Sequence, residues 1–472
     1  MNKTLQRLKL RSHFVLGTGT QMPAGTKVPL VVTIEYERYD PTTLSTELLV
    51  LGDDKERGAT YVSLTRPFHF ELRLLSDEPG APSVALSGIH GMSRKGAEVS
   101  IDASEAQIGI TEEPQEDELA WAVKAELTPS GILQAGGIRT YNPTGEVNVE
   151  RLRPGEINVS TKLGELWVGE RYAYYESEEH GNNVTHSVQR AAITGSIKIL
   201  KGESLASIDK DLTEEIEDIC ALLSLCYRQP VDFYEIRYGT DPNTTSREKR
   251  QEATVRRRLH SISKWIRNDQ LIHHSNLIDG GLNQLVSNYK KSVHKKEVTR
   301  AIHFLAASYE VESLESAYFL AYSALDLIAS VTHAEDSYLL APSKWRKVQK
   351  LLRSYIDSIA EEEEITAVAE QIKEKLPELR RASGDRRVIG ACHTLGVKTD
   401  DLWRKDGFEA GLKSATRIRN RLFHAAGGGI DDSYGNLVRV RTLVERLLLG
   451  ILEWPDERTW VWKDQELMRL PD

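Results

Sequence analysis

Short runs rich in β-branched and apolar residues fill the first two hundred positions of the chain. Asp, Gly and Pro clusters such as Gly52–Asp54 and Glu78–Pro82 separate them, which is typical of turns. The clearest runs are Val28–Tyr36, Thr43–Leu51, Phe68–Leu75, Leu119–Leu127, Leu163–Tyr174 and Val188–Leu200. Since no helical run of convincing length interrupts them, residues 1–205 are predicted to form an antiparallel β-sandwich or barrel-like domain.

The spacing of apolar positions changes near Gly202 to a helical period. A helix is predicted from Asp211 to Pro230, with an apolar stripe made of Ile216, Ile219, Leu222, Leu223 and Cys226. A short strand is predicted at Val231–Tyr238. Helical periodicity then continues over residues 246–270, 275–293, 297–309, 311–333, 342–360, 362–381, 408–426 and 434–453.

The predicted fold class is therefore α+β with several domains. A β-rich N-terminal domain with a sensing or regulatory role covers residues 1–205, and a helical linker region with a basic surface covers 206–300. An all-α helical bundle covers 301–472.

Composition narrows the function classes. The chain has 472 residues and a net charge of −9, so RNA contact requires a local basic patch. Three cysteines without paired spacing favour neither a disulfide framework nor a zinc site, and Cys220 and Cys226 fit core thiols. The basic N-terminus lacks the apolar core of a signal peptide, and no apolar run has the length of a membrane helix. We expect a cytoplasmic protein with no membrane association.

The richest candidate chemistry lies between Arg417 and His424. This segment holds Arg417, Arg419, Asn420, Arg421 and His424, and Gly427–Gly429 follow it. Asn420 and His424 are four residues apart and share a helix face, so Asn420 is placed to orient the imidazole. Arg419 lies about 140° around the helix from His424.

This set of side chains suits the cleavage of a phosphodiester. Internal transesterification of RNA needs a base for the 2′-hydroxyl proton, an acid for the leaving oxygen and a cation for the phosphorane. One helix offers one His and one suitable Arg. A composite site across a two-fold dimer would offer two of each, without a metal or another cofactor.

The motif Arg419-Asn420-x-x-x-His424 resembles the Arg-x4-6-His signature of HEPN-domain ribonucleases. Glu312–Ile328 resembles the early HEPN helix, in which an acidic residue follows Ala-Leu, and Asp326 fills that position. The plan of a β-rich domain before the bundle is similar to that of the ApeA-like group. The resemblance implies that Arg419 clamps the scissile phosphate, His424 acts as general acid or base, and Asp326 fixes Arg419.

The same resemblance implies a biological setting. It suggests a homodimer or higher oligomer that cleaves RNA in anti-phage defence by abortive infection, or in toxin-like growth arrest. A phage-derived or other trigger would be sensed by the N-terminal domain.

A basic segment offers a candidate RNA-backbone surface. Residues 243–305 contain 13 Lys and Arg against 5 Asp and Glu. Arg256 and Arg257 on its predicted first helix, and Lys290 and Lys291 further on, are the candidate contacts, together with Arg417 and Arg421.

Two other functions fit the sequence. The first is a non-catalytic protein whose β domain binds a partner or ligand and whose helical bundle only dimerises. The second is a carbohydrate-binding β-sandwich, indicated by Trp121, Trp167 and Tyr172–Tyr175. The adjacent His273 and His274 diverge and lack a carboxylate pattern, so they do not predict a metal site.

Overall fold

The computed structural model describes most of the chain. The described residues are 5–15, 25–37, 42–51, 71–76, 83–95, 98–109, 118–129, 137–141, 147–151, 157–179, 182–200, 205–240, 252–259, 270–332, 340–362, 366–377, 384–424 and 433–455, with the isolated positions 23, 40, 53, 55, 57, 59 and 132. An antiparallel β-sheet region comes first, and a helical region follows it.

Fourteen strands occur among the described residues. They are β1 (Leu5–Val15), β2 (Lys27–Glu37), β3 (Ser45–Val50), β4 (Glu71–Ser76), β5 (Ser83–Lys95), β6 (Glu98–Gly109), β7 (Glu118–Thr128), β8 (Gly137–Tyr141), β9 (Val147–Arg151), β10 (Ile157–Ser160), β11 (Glu165–Glu179), β12 (Asn182–Leu200), β13 (Asp232–Thr240) and β14 (Glu252–Arg257). The six predicted strands of the N-terminal region correspond to β2, β3, β4, β7, β11 and β12.

Twelve of these strands form one antiparallel sheet. Its order is β10-β11-β12-β7-β13-β14-β6-β3-β2-β1-β4-β5, and β5 also pairs with β6. The six strands β1 to β6 therefore close into a ring. Strand β14 pairs with β13 on one side and with β6 on the other, so it joins the ring to the rest of the sheet.

The apolar alternation of the ring strands explains their pairing. In β2, Val28, Leu30, Val32 and Ile34 are buried while the intervening side chains face outwards. Strand β3 alternates in the same way along its six residues. A shift of one residue in register would move this apolar set to the solvent side, which fixes the pairing.

Nine helices of ten residues or more follow the twelfth strand within the described residues. They are α1 (Leu205–Tyr227), α2 (Leu282–Lys291), α3 (Lys295–Glu310), α4 (Leu314–Thr332), α5 (Pro342–Glu362), α6 (Thr366–Lys375), α7 (Gly384–Thr394), α8 (Phe408–His424) and α9 (Ser433–Ile451). A short turn at His274–Asn276 and a π-helical segment at Leu277–Gly281 lead into α2. The predicted apolar stripe of α1 is buried.

The chain divides into two compact units. The first consists of Met1–Leu223, Pro230–Asn268 and His274–Val286, and the second of Ser224–Gln229, Asp269–His273 and Ser287–Asp472. The prediction of a separate helical linker at 206–300 is therefore wrong. Residues 232–240 and 252–257 are strands inside the large sheet, and the predicted helix over 246–270 is replaced by β14 where the structure describes it.

Helix α4 lies at the centre of the second unit. It packs against α3, α7, α8 and α9, which explains why its composition is strongly apolar. It is also the one helix among the described residues whose length and composition would suit a membrane span. Ala317, Tyr318, Ala321 and Leu325 are among its buried residues, which is the pattern of a core helix.

A buried ion pair ties α9 into this unit. Two of the three guanidinium nitrogens of Arg228 face Glu445, with Nε 2.7 Å from Oε1 and Nη2 3.0 Å from Oε2. The hydroxyl of Tyr309 donates to the same carboxylate at 2.7 Å. Glu445 is fully buried and Arg228 is nearly so. Such a pair is costly to break from one side because the remaining charge stays buried.

Candidate functional site

Helix α8 carries the Arg- and His-rich motif, and its apolar side holds it in the bundle. Leu412, Ala415 and Ile418 are buried at helical spacing, whereas Arg417 is exposed. The hydroxyl of Tyr318 in α4 donates to the carbonyl oxygen of Ala415 at 3.0 Å. The basic side chains therefore project from a helix whose orientation is set by packing.

Arg419 points towards α4. Its Nη2 lies 4.0 Å from Oδ2 of Asp326, and its guanidinium carbon lies 5.6 Å from the centre of the Tyr322 ring. Its Nη1 also donates to Oδ1 of Asn420 at 3.0 Å. The side chain keeps 38% of its surface exposed, so one side of the guanidinium is held while the other meets solvent.

Asp326 sits between two guanidinium groups. Its Oδ1 is 3.9 Å from Nη2 of Arg387, and its Oδ2 is 4.0 Å from Arg419. Both separations exceed the roughly 2.7–2.9 Å of a direct charge-assisted hydrogen bond. Burial raises the pKa of Asp326 above its usual value, although both arginines act to lower it. The carboxylate therefore attracts two cations without locking either in place.

A hydroxyl relay lies beside this group. The hydroxyls of Tyr322 and Thr416 are 2.8 Å apart, and Oγ1 of Thr416 is 2.5 Å from Oδ1 of Asp385. When Thr416 donates to Asp385, its oxygen can only accept, so Tyr322 donates to Thr416. Burial is the main cause that raises the pKa of Tyr322 to about 12. The phenol thus remains neutral and presents its ring face to Arg419.

Asn420 makes a contact that was not predicted from the sequence. Its amide oxygen accepts a hydrogen bond from Nη1 of Arg419, and the predicted orientation of His424 by Asn420 stays a prediction. Helix α8 ends at His424. The side chain of His424 and the glycines at 427–429 lie outside the described residues. The roles assigned to His424 therefore stay predictions.

Arg417 and Arg421 lie on another side of α8. Both are exposed, as is Ser414, which stands one turn before Arg417. The spacing of three and four residues places these side chains in one row along the helix. The motif therefore presents two basic faces, one at Arg419 and one along the row of Ser414, Arg417 and Arg421.

The predicted RNA contact at Arg256 is wrong. This side chain is fully buried, with its guanidinium 4.9 Å from the Tyr36 ring centre and 4.8 Å from that of Tyr234. It donates to the carbonyl oxygen of Glu37 at 3.0 Å and pairs with Glu235 at 3.4 Å. Burial lowers the pKa of Arg256 from its usual value. Arg256 is a core cation of the sheet and cannot reach RNA.

Arg257 is also engaged within the protein. Its guanidinium donates to Glu105 at 2.8 Å and to Glu217 at 2.9 Å, and it lies over the ring of Phe233. This leaves little of the side chain for a nucleic acid, so the predicted contact is not supported. Lys290 is half-buried and Lys291 is exposed at the C-terminal end of α2, and their predicted contact with RNA stays untested.

Four residues of the site were not predicted from the sequence. Arg387 and Asp385 lie on α7, a helix that was not predicted, and Tyr322 and Thr416 carried no motif. The adjacent arginines at 386 and 387 were the one available signal. Tyr322 stands four residues before Asp326, and Thr416 stands three residues before Arg419, so each shares a helix face with a predicted site residue. These spacings could have identified both.

The other candidate residues that the structure describes do not form a second site. Cys220, Cys226 and Cys392 are buried free thiols, as expected for the first two. Within the described ranges, no group of three or more His, Cys, Asp and Glu side chains is placed to hold a metal. Trp121 is buried, which removes one of the aromatic residues suggested for carbohydrate binding.

No protein-family model and no curated protein matches this chain. The geometry around Arg419 is therefore the main observation that bears on the function.

Proposed function

We propose that the helical region is a metal-independent endoribonuclease of the HEPN type, with Arg419 as its phosphate-binding cation. The observation that carries the proposal is the half-exposed guanidinium of Arg419, held between Asp326 and the ring of Tyr322. It lies on the same helix as His424, five residues earlier. A cation that is attracted by a carboxylate on one side and open to solvent on the other suits a scissile phosphodiester.

The chemistry follows from these groups. A neutral imidazole removes the proton of the ribose 2′-hydroxyl, and the resulting oxygen attacks the phosphorus. Arg419 stabilises the added negative charge on the phosphorane. The bond to the 5′-oxygen then breaks, and an imidazolium protonates that oxygen, which leaves a 2′,3′-cyclic phosphate. Because each chain supplies one His424, the acid and the base come from two copies of α8 in a dimer.

Asp326 and Arg387 would act by positioning. The attraction of Asp326 draws Arg419 towards α4, and Arg387 balances the second oxygen of the carboxylate. Without Asp326, two guanidinium groups would remain close together and repel each other. In this scheme the β-rich region restrains or triggers the nuclease, in a role such as anti-phage defence.

The test compares matched variants on a labelled single-stranded RNA. Arg419→Ala and His424→Ala should each lower cleavage by about a hundredfold or more. Lys413→Ala, an exposed cation on the same helix, and His393→Ala, an exposed histidine on α7, should cleave like the wild type. Activity should persist in EDTA. Equal cleavage by His424→Ala and His393→Ala would refute the assignment.

The alternative of a non-catalytic binding protein has one observation in its favour. Leu351 and Tyr355 on α5 and Val368 and Ile372 on α6 are exposed apolar side chains at a spacing of four residues. Exposed apolar groups of this kind suit a protein partner. This function would be favoured by two results together. The protein would leave RNA intact with every trigger offered, and Leu351→Glu would abolish its binding to a stable partner.

A further inference from the structure

A polar cavity of about 150 Å³ lies on the Ser414 side of α8, away from Asp326. Its lining residues are Trp403, Arg404, Lys405, Asp406, Ser414, Asn436 and Arg439. Three of these side chains carry a positive charge and one carries a negative charge. All seven belong to the second compact unit. The cavity is thus a concave surface with an excess of positive charge.

The inner wall of the cavity is closely packed. The indole of Trp403 is 6% exposed, and its Nε1 donates to Oδ1 of Asn436 at 3.0 Å. The ring lies so close to Gly411 that a Cβ there would be 2.0 Å from Cγ of Trp403. Glycine is therefore required at this point of α8. The cavity is shaped before any ligand arrives, which reduces the entropic cost of binding.

The charges are arranged to favour an anion. Arg439 is 7% exposed and lines the cavity, so its field is screened less than that of a surface cation. Arg404 and Lys405 are exposed at the rim, and Ser414 adds a hydroxyl. Guanidinium, ammonium and hydroxyl groups are the usual donors to phosphate oxygens.

The size of the cavity selects the ligand. Sites that enclose drug-sized molecules have volumes of about 300–1,000 Å³, so this cavity is too small for a whole nucleotide. We propose that it binds one phosphoryl group, and that in the working protein this group belongs to an RNA strand that follows the row of Ser414, Arg417 and Arg421. The second part of this inference rests on the proposed function.

Binding of a phosphoryl group is measured separately from cleavage. Every variant is prepared as full-length protein in the His424→Ala background, so that RNA stays intact. Titrations use inorganic phosphate, pyrophosphate and a labelled single-stranded RNA at fixed ionic strength, because phosphate contacts depend on salt. Binding of RNA alone assigns the phosphoryl group to a strand, whereas binding of inorganic phosphate or pyrophosphate assigns it to a free compound.

Two substitutions at the rim should shift the affinity in opposite directions. Arg404→Gln should weaken binding about tenfold, since a charge-assisted hydrogen bond is lost. Asp406→Asn should strengthen it by about threefold or more, since a repelling charge is lost. Both residues are exposed, so folding is not at risk. Lys413→Gln and Asp400→Asn change the net charge equally, lie outside the cavity and should have little effect.

The inference is overturned if neither Arg404→Gln nor Asp406→Asn changes the affinity of the His424→Ala protein for any of the three probes. It is equally overturned if Arg404→Gln changes the affinity no more than Lys413→Gln does, and Asp406→Asn no more than Asp400→Asn does. If His424→Ala abolishes RNA cleavage but the two rim variants leave the affinity unchanged, the proposed function is supported and binding of a phosphoryl group in the cavity is refuted. If both shifts in affinity are observed but protein that retains His424 does not cleave RNA, the cavity is supported and the proposed function is refuted.

Discussion

The buried carboxyl of Asp209 allows a quantitative prediction about the sheet region. This residue of α1 is 6% exposed. It accepts hydrogen bonds from the hydroxyl of Tyr238 and, at 3.1 Å, from Nε2 of Gln107. Burial raises its pKa from 3.8 to about 6, although the hydrogen bond from Tyr238 acts in the opposite direction. Between these two pKa values, the carboxyl of Asp209 keeps its proton in the folded protein, whereas the unfolded chain has already released it.

The sign and size of the effect follow from these two pKa values. Since the pKa of Asp209 is higher in the folded state, its contribution to stability is complete below about pH 4 and is lost as the pH rises through about 6. Between pH 4 and pH 7 the loss is about 2 kcal/mol in the free energy of unfolding. The Asp209→Asn variant should not show this loss, because its amide does not ionise and Gln107 can rotate its own amide to accept a hydrogen bond.

The assay is urea unfolding of the full chain, followed by tryptophan fluorescence at several pH values from 4 to 7. The difference in stability between Asp209→Asn and the wild type should grow in favour of the variant by about 2 kcal/mol over this interval. Asp211→Asn, two residues away and exposed, is the matched control. A difference for Asp209→Asn that stays constant with pH would refute the reasoning.

Three other predictions concern the helical unit. Glu445→Gln should lower the free energy of unfolding by about 3 kcal/mol in urea titrations, because it leaves Arg228 buried without its counter-charge. A change below about 1 kcal/mol would contradict this. Gly411→Ala should cost about 1–3 kcal/mol by displacing Trp403, and should also weaken phosphate binding. Asp326→Asn should lower kcat for RNA cleavage about tenfold with little change in the melting temperature, and Asp326→Glu should restore part of the activity.

The order of the elements could be predicted where the apolar period is regular. The predicted helix over 408–426 corresponds to α8, and the predicted strand Val28–Tyr36 corresponds to β2, because in both the buried positions recur at the period of the element. The prediction failed over 246–270, where several arginines suggested a basic helix. In β14 these arginines are satisfied by Glu37, Glu105 and Glu235, partners that local sequence does not reveal.

The candidate site could be predicted in part for the same physical reason. The proximity of Arg419 and Asp326 follows from a charged residue on an apolar helix, which needs a partner when the helix is buried. The presence of Arg387 could not be inferred, because α7 is short and polar and gives a weak helical signal. The cavity beside Trp403 depends on Gly411, and a single glycine in a helix gives no indication of which ring will pack on it.

The position of β14 has a consequence for how the protein is made. This strand is the last of the fourteen to leave the ribosome, yet it pairs between β13 and β6 in the interior of the sheet. Until residue 257 has been synthesised, β6 and β13 each present an unpaired edge next to that gap. Open edges of this kind promote pairing between nascent chains. We therefore expect slow translation across residues 241–257 to favour aggregation. A chaperone that covers strand edges should protect the nascent chain during this time.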